Sequence, residues 1–513
     1  MRDEYVIMSV AWAIVAFWIA FVIFMNRKMH PKALFFLFMV ELWERFSYYG
    51  MRAFLVLYLT ASVINNGFGL EEKTAVGIYA AYGAMVYLTP LLGGFLADRL
   101  LGFRKAIIWG AILMALGQFT LAGSVGKEYV LFIGLALLTI GNGFFKPNIT
   151  STIGRFYAQG DPRRDGAFTI FYMGINIGAF LAPLTCGTIG EIEGWEYGFM
   201  TAGAGMVLGL LIFLYTSTSG YLEQHADPPA GAESKKVFGL PANLAVYVGT
   251  FLAVPVAALV IYHNEVMDLL LGVVGVGAIG TMIYLSFQYP VAERQRIWVI
   301  VVLLFFTTVF WTFFELAGSA LTLFTKNNVD KTLLGLNLKT SMFQATNALF
   351  IMLFAPLFSI LWIQLAKRKA EPAAPMKFAF GLLLLGAGFL ALNLGMAFVV
   401  DGIMPAIFLI LLYLLHTLGE LTLSPVGLSL VTKLAPAKIV GFMMGFWFLS
   451  SAIAHQLGKW ISSAAIADKD ATREQTLALS LAVFNNVGYF AIGSGVLLIL
   501  LSPLLKKWMH GIK

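Results

Sequence analysis

Apolar residues fall along this chain in long blocks of roughly 20 residues, the length a helix needs to cross about 30 Å of hydrocarbon. The blocks predict helices near 6–25, 33–60, 74–97, 105–124, 128–154, 166–189 and 198–216. A polar break from Ser217 to Phe238, containing Asp-Pro-Pro-Ala-Gly, follows. Two more helices are expected near 240–262 and 266–288, then a second set near 297–324, 342–366, 378–399, 404–432, 439–464 and 478–504. The expected architecture is an all-α polytopic membrane protein of two six-helix bundles, with two inserted helices and one extra N-terminal helix. In domain terms it reads as an anchor helix (1–32), a first bundle (33–216), a linker with the inserted pair (217–296) and a second bundle (297–513).

Composition removes the soluble alternatives. The 513 residues are 59% hydrophobic and only 12% charged, about half the charge density of a soluble domain. Long apolar blocks exclude a disordered chain, and the 51 glycines show no collagen-like period of three. Cys186 is the single cysteine, so neither an internal disulfide nor a cysteine-based metal site can form. The net charge of +7 is explained by topology rather than nucleic acid, because basic loops stay cytoplasmic. Of the 34 Lys and Arg, 22 fall in one alternate set of loops, from Arg27 to Lys513, and 9, including Lys459, in the other. That places the C-terminus inside and the N-terminus outside the membrane. The segment Val6–Met25 has too long an apolar run for a signal peptide, no small-residue cleavage site follows it, and its basic residues come afterwards. It reads as a retained anchor helix with no assignable function.

The two sets of six carry an internal repeat. Trp43, Phe46 and Gly50 in the first helix of one set have the spacing of Trp311, Phe314 and Gly318 in the other. In the fourth helices, Gly141, Pro147 and Arg155 match Gly419, Pro425 and Lys433, and Asn142 aligns with Glu420. Such matches imply parallel halves related by an axis along the membrane normal.

Seven ionisable residues stand out within the predicted helices: Glu41, Glu44, Arg45, Arg52, Lys146, Glu315 and Glu420. Each costs about 2.5–3.5 kcal/mol at the bilayer centre unless paired or hydrated, so a functional pathway outweighs the alternatives of structural ion pairs or a surface-seeking Glu41. Counting along the helices places Arg52 and Glu315 in the outer half and Lys146 and Glu420 in the inner half. Two opposite-charge gating pairs, Arg52–Glu315 outside and Lys146–Glu420 inside, are what alternating access between rocking halves requires. Glu41, Glu44 and Arg45 lie within one turn, and two carboxylates so close in low dielectric resist ionising together, which suits a proton carrier. Tyr48, Tyr49, Tyr87, Asn176, Asn347 and Trp447 complete the candidate cavity, although each alone also fits a packing role. Other signals fail. Gly275, Gly277 and Gly280 match a dinucleotide-loop spacing but lie in an apolar helix with no preceding strand. His416 and His455 are isolated and read as packing or interfacial residues, and no nucleophile, phosphate-binding or metal motif marks an enzyme.

These residues resemble the proton-dependent oligopeptide transporter family of the major facilitator superfamily, in its bacterial form, over nearly the whole chain from about 33 to 505. The resemblance rests on Glu41-Leu-Trp-Glu44-Arg45-Phe46 with Tyr48-Tyr49-Gly50, and on Gly141-Asn-Gly-Phe-Phe-Lys146-Pro147-Asn148. Phe171-Tyr172-Met173-Gly174-Ile175-Asn176, Phe313-Phe314-Glu315 and Gly419-Glu420-Leu-Thr-Leu-Ser424-Pro425 add to it, as does Gly102-Phe-Arg104-Lys105 between the second and third helices.

The resemblance implies a proton-coupled symporter importing di- and tripeptides by alternating access, coupled through Glu41, Glu44, Arg45 and Glu315. It also implies that Arg52 and Lys146 bind the peptide carboxylate, that Asn176, Asn347, Glu315 and Glu420 take its amino end and backbone, and that Tyr48, Tyr49, Tyr87 and Trp447 line side-chain pockets. The partners are then peptides, protons and the lipid bilayer, which the bacterial resemblance implies is an inner cell membrane, with no cofactor beyond the proton gradient, no nucleic acid, and one chain sufficing. The alternative is a proton-coupled carrier of another small solute on the same fold, such as nitrate, an amino-acid derivative or a peptidomimetic. Three departures bear on it: Leu316 where the family usually has Gln, Ala348 where Pro commonly follows Asn347, and Ala80 where mammalian relatives carry His.

Overall fold

The computed structural model describes residues 2–158, 160–228, 231 and 235–512, without side-chain detail at 425, 426 and 428; Pro425 of the repeat motif lies outside the described side chains. Each predicted apolar block is occupied by one long helix. In chain order these are α1 (Asp3–Asn26), α2 (Lys32–Thr60), α3 (Glu72–Leu101), α4 (Phe103–Ala122), α5 (Glu128–Arg155), α6 (Arg163–Ile192) and α7 (Trp195–Thr218). There follow α8 (Ala242–Tyr262), α9 (Asn264–Ser286), α10 (Val291–Asn328), α11 (Thr340–Lys367), α12 (Ala374–Phe398), α13 (Ala406–Leu434), α14 (Val440–Ala464) and α15 (Arg473–Trp508). Among the described residues, fourteen helices are long and apolar enough to cross a membrane. The long helix outside that set is α2, which carries Lys32, Glu41, Glu44, Arg45 and Arg52.

The chain packs as two units. The first comprises the residues through Glu71, Met85–Asn264 and Leu336–Ala348. The second comprises Glu72–Ala84, Glu265–Gly335 and the chain from Leu349 onward. Helix packing within lipid depends on close backbone approach, and glycines provide it in both units. In the first, a Cβ on Gly141 of α5 would stand 2.8 Å from the Gly110 carbonyl oxygen of α4. A Cβ on Gly178 of α6 would meet the Leu42 carbonyl and Arg45 Cβ of α2. In the second, Gly419 of α13 faces the Gly381 carbonyl of α12 at the same 2.8 Å. The repeat read from Gly141 and Gly419 therefore corresponds to one packing device used in each unit.

The inserted helices divide between the units. α8 packs on α4 and α5, with Trp109 Nε1 donating to Thr250 Oγ1 at 3.3 Å and Phe132 edge-on to Tyr262. α9 is tied to α14, where Lys459 Nζ and Gln456 Nε2 donate to the two Asp268 carboxylate oxygens at 2.6 and 2.7 Å. This corrects the placement of Lys459 among the loop cations: it lies within α14 and is buried.

α1 is not an isolated anchor. Its Trp12 ring lies 5.9 Å from both Trp43 and Phe46 of α2, and Trp12 Nε1 donates to Thr185 Oγ1 of α6 at 3.0 Å. At its N-terminal tip, Asp3 accepts from the Asn337 backbone N–H at 3.2 Å, and Glu4 lies 3.4 Å from Lys339. Tyr5 donates to Glu193 at 2.6 Å.

Candidate functional site

α2 is buried on nearly every face, so its polar residues must find partners inside the protein. Glu41 is 1% exposed, Glu44 0% and Arg45 5%, which excludes a surface-seeking Glu41. Arg45 Nε lies 2.8 Å from Glu41 Oε1, one turn earlier, and 3.0 Å from Glu44 Oε2. Asn142 of α5 donates Nδ2–H to Glu44 Oε1 at 3.3 Å. Gln118 of α4 fixes the next turn, donating from Nε2 to both the carbonyl and hydroxyl oxygens of Ser47 at 3.1 Å. Two carboxylates thus share one guanidinium in a dry setting. Glu41 Oε2 and Asn142 Oδ1 are buried without a hydrogen-bond partner, and Glu44 Oε2 is held by its ion pair with Arg45. All three are oxygen acceptors.

The other site residues of the first unit are arranged around rings. Arg52 lies 5.9 Å over Tyr49, whose ring stands edge-on to Tyr48 at 5.1 Å. Lys146 Nζ lies 5.0 Å over Tyr87, a distance suited to cation–π attraction. Asn176 is buried and donates to the Tyr172 carbonyl at 2.9 Å. Asn347 belongs to the Leu336–Ala348 segment that packs with this unit, where Gln344 donates to the Ala53 carbonyl of α2 at 3.1 Å.

Glu315, Glu420 and Trp447 belong to the second unit. Glu315 is buried and begins a 3-10 stretch, Glu315–Gly318, that interrupts α10. There Gly318 abuts Tyr79 so closely that any Cβ would overlap the Tyr79 hydroxyl. A broken helix at an ionisable residue is a recurrent feature of transporter sites. Glu420 is buried on α13, and the Trp447 ring covers Gly427, where a Cβ would overlap it. His416 sits among Phe389 and Phe314, with ring centroids 4.6 and 6.3 Å away, and the His455 ring packs on Gly83. Both placements agree with a packing role.

Three polar features escaped the sequence reading. Asn142 is a neutral amide in a helix and gives no charge signal. The Asp268–Lys459–Gln456 group lies near helix ends, where charge is unremarkable. Glu191, near the C-terminal end of α6, accepts the backbone N–H groups of Thr340 and Ser341 at 3.3 and 2.8 Å, satisfying donors that a helix start leaves open. Beyond the helices, His30 Nδ1 is 2.9 Å from the Tyr157 hydroxyl. Burial, then nearby Arg163, holds His30 below its ordinary value, and burial pushes Tyr157 up to about 12.

Comparison with known proteins places this arrangement. The POT family model matches residues 104–476. The peptide transporter YePEPT of Yersinia enterocolitica is 36% identical over 456 residues, 86% of this chain and 89% of the relative. The di-/tripeptide transporter of Lactococcus lactis subsp. cremoris is 35% identical over 496 residues, 94% of this chain and 97% of the relative. A crystal structure of a mutant peptide transporter POT in complex with alafosfalin superposes with a TM-score of 0.81 at 37% identity, covering 94% of this chain and 96% of that one.

Proposed function

The chain belongs to the POT family, and from that premise we propose that it is a proton-coupled symporter of di- and tripeptides. The observation that carries the reading is the α2 cluster. Two buried carboxylates one turn apart share one guanidinium, with the Lys146 ammonium of α5 also acting on Glu44. Two carboxylates so close in a buried setting resist ionising together, and binding one proton relieves their repulsion. That is the chemistry of a group that loads and unloads a proton during a cycle. The related YePEPT and lactococcal proteins are named as peptide transporters, and alafosfalin occupies a related structure, which favours peptides over nitrate or another solute.

The roles of individual residues follow the chemistry of a peptide. Every dipeptide carries one carboxylate and one ammonium at similar separation, while its side chains vary. Arg52 and Lys146 are assigned the carboxylate; Asn176, Asn347, Glu315 and Glu420 the amino end and backbone. Tyr48, Tyr49, Tyr87 and Trp447 offer adaptable aromatic surface for variable side chains. The proton gradient supplies the energy, through Glu41, Glu44, Arg45 and Glu315, with no resident cofactor. Arg52 with Glu315 and Lys146 with Glu420 serve as alternately broken charge pairs. The carrier sits in the inner cell membrane with its C-terminus cytoplasmic and works as a monomer.

The test is uptake of labelled dialanine into proteoliposomes under an imposed inward proton gradient. Accumulation that collapses with the gradient supports the proposal. Correctly oriented, folded protein that accumulates no dialanine overturns it.

A further inference from the structure

Glu44 has a neighbour whose chemistry fits both of its protonation states. We infer that Asn142 is a positioning residue for proton exchange at Glu44, donating through its N–H₂ to the ionised carboxylate and accepting through its amide oxygen from the protonated one. The inference rests on the proton-coupled reading above.

The geometry is specific. Asn142 is 1% exposed and faces Glu44 Oε1 through Nδ2 at 3.3 Å, while its Oδ1 has no hydrogen-bond partner. An amide offers a donor and an acceptor on the same planar group, and turning it about its terminal torsion exchanges them with little change of shape. When a proton binds Glu44 Oε1, that atom changes from acceptor to donor, and the turned amide places Oδ1 to receive the new O–H. When the proton leaves, the reverse turn restores the N–H···O⁻ bond. One proton is gained and lost, and no other bond changes. Without such a partner, one of the two states would leave a buried polar atom unpaired.

The surroundings make this partner necessary. The charged groups near Glu44 are Arg45 and Glu41 on α2 and Lys146 on α5. Arg45 can only donate, Glu41 when ionised can only accept, and Lys146 can only donate. Asn142 alone among these neighbours can do both. It also lies one turn before Lys146 on the same helix, so the amide orientation sits beside a residue assigned to the peptide carboxylate. The repeat places Glu420 at the equivalent position of α13, so the amide belongs to the unit that holds the Glu-Arg cluster.

The experiment compares Asn142→Leu, Asn142→Thr, Glu44→Gln and the Asn142→Leu/Glu44→Gln double variant in proteoliposomes, each scored by the ratio of gradient-driven accumulation to peptide exchange. Asn142→Leu is expected to lower that ratio roughly tenfold or more, the scale of one lost hydrogen bond to a charged group. Asn142→Thr, whose hydroxyl both donates and accepts, is expected to recover most of it. Because Glu44→Gln alone is expected to abolish accumulation, the double variant is also scored by melting temperature, where the fall caused by Asn142→Leu should be smaller in the Glu44→Gln background, since the two residues act through one interaction. If Asn142→Leu is not recovered folded, the smaller apolar Asn142→Val takes its place and should fail likewise. Infrared difference spectra on a pH step supply a readout independent of transport: the carboxylic-acid band lost in Glu44→Gln should move to higher frequency in the Leu or Val variant. Equal loss in the Thr and Leu variants, an additive double variant, or an unmoved band overturns the role of Asn142. A wild-type carrier without proton-driven uptake overturns the transport reading instead, and the infrared band still decides the role of the amide.

Discussion

The first and fourth helices of the two repeats share a frame and differ in chemistry. Gly50 of α2 and Gly318 of α10 both stand against a neighbouring side chain with no room for a Cβ, and Gly141 and Gly419 each press on a neighbouring carbonyl. On that common frame, the positions of α10 that match Glu41, Glu44 and Arg45 hold Val309, Thr312 and Phe313. Thr312 merely donates to its own helix at Thr308. Where α5 has Asn142, α13 has Glu420, and α10 breaks at Glu315 while α2 runs unbroken through the matching Ser47. Close packing tolerates only glycine at these approaches, so the frame is retained in both halves. Side chains off the packing seams are free to diverge. One unit carries two carboxylates around a guanidinium together with further cations, the other single acids at Glu315 and Glu420.

The strongest break of this asymmetry is to reverse its charges. Arg52→Glu puts an acid where the proposed outer pair needs a cation, a change worth several kcal/mol in low dielectric. Transport should be lost in Arg52→Glu and also in Glu315→Ala, measured as dialanine uptake at matched expression. Near-normal uptake by either would remove that pair from the mechanism.

A narrower effect separates carrying peptide from coupling it. Glu44→Gln keeps size but cannot titrate. Gradient-driven accumulation should disappear while peptide-for-peptide exchange stays measurable, since exchange needs only the loaded carrier to reorient. Continued proton-driven concentration of peptide by the variant would move the coupling role to Glu41 or Glu315.

The shared frame can itself be graded. At Gly141 a Cβ would meet Met114 Cγ at 2.7 Å, the Gly110 carbonyl at 2.8 Å and the Met114 nitrogen at 2.9 Å; at Gly419 only the Gly381 carbonyl lies closer than 3.4 Å. Overpacking of this kind costs about 1–3 kcal/mol, and the cost rises when backbone rather than a flexible tip must move. Gly141→Ala should therefore lower the melting temperature in detergent more than Gly419→Ala. The reverse order would show that α12 and α13 are the less yielding pair.

Much of this was legible in the sequence, for physical reasons. Lipid-crossing length is a one-dimensional property, so every long helix could be placed from apolar blocks. α2 was readable as a span by its length and neighbours even though its charges exclude it from an apolar count, and those same charges marked the site. The i,i+4 spacing of Glu41 and Arg45 already implied their contact. Asn142 was not legible as a partner because its role depends on how α5 faces α2, which spacing along one chain does not determine. The contacts of Glu191 with Thr340 and Ser341, and of Asp268 with Lys459, join residues about 150 and 190 positions apart, beyond any local pattern.

The smallest expected effect concerns α1, which precedes the first set of six and carries none of the proposed site residues. As a bare anchor it could be removed without consequence. The structure gives it two attachments: Trp12 against Trp43 and Phe46 of α2 with a bond to Thr185, and the Asp3–Glu4 tip on Asn337 and Lys339. Ring contacts are worth about 0.5–1.5 kcal/mol each, and the partly exposed tip pairs less. None touches the Glu41–Arg45–Glu44 group directly. Deleting residues 3–28 should therefore preserve proton-driven uptake per folded molecule while lowering thermal stability, and Trp12→Ala should reproduce most of that fall with the helix still present. The later basic loops are untouched, so the orientation of the remaining helices should persist. A truncated carrier that inserts stably but binds no peptide would show that Trp12 transmits more than packing to α2. Equal melting temperatures for Trp12→Ala and wild type would place the helix's whole contribution at its polar tip.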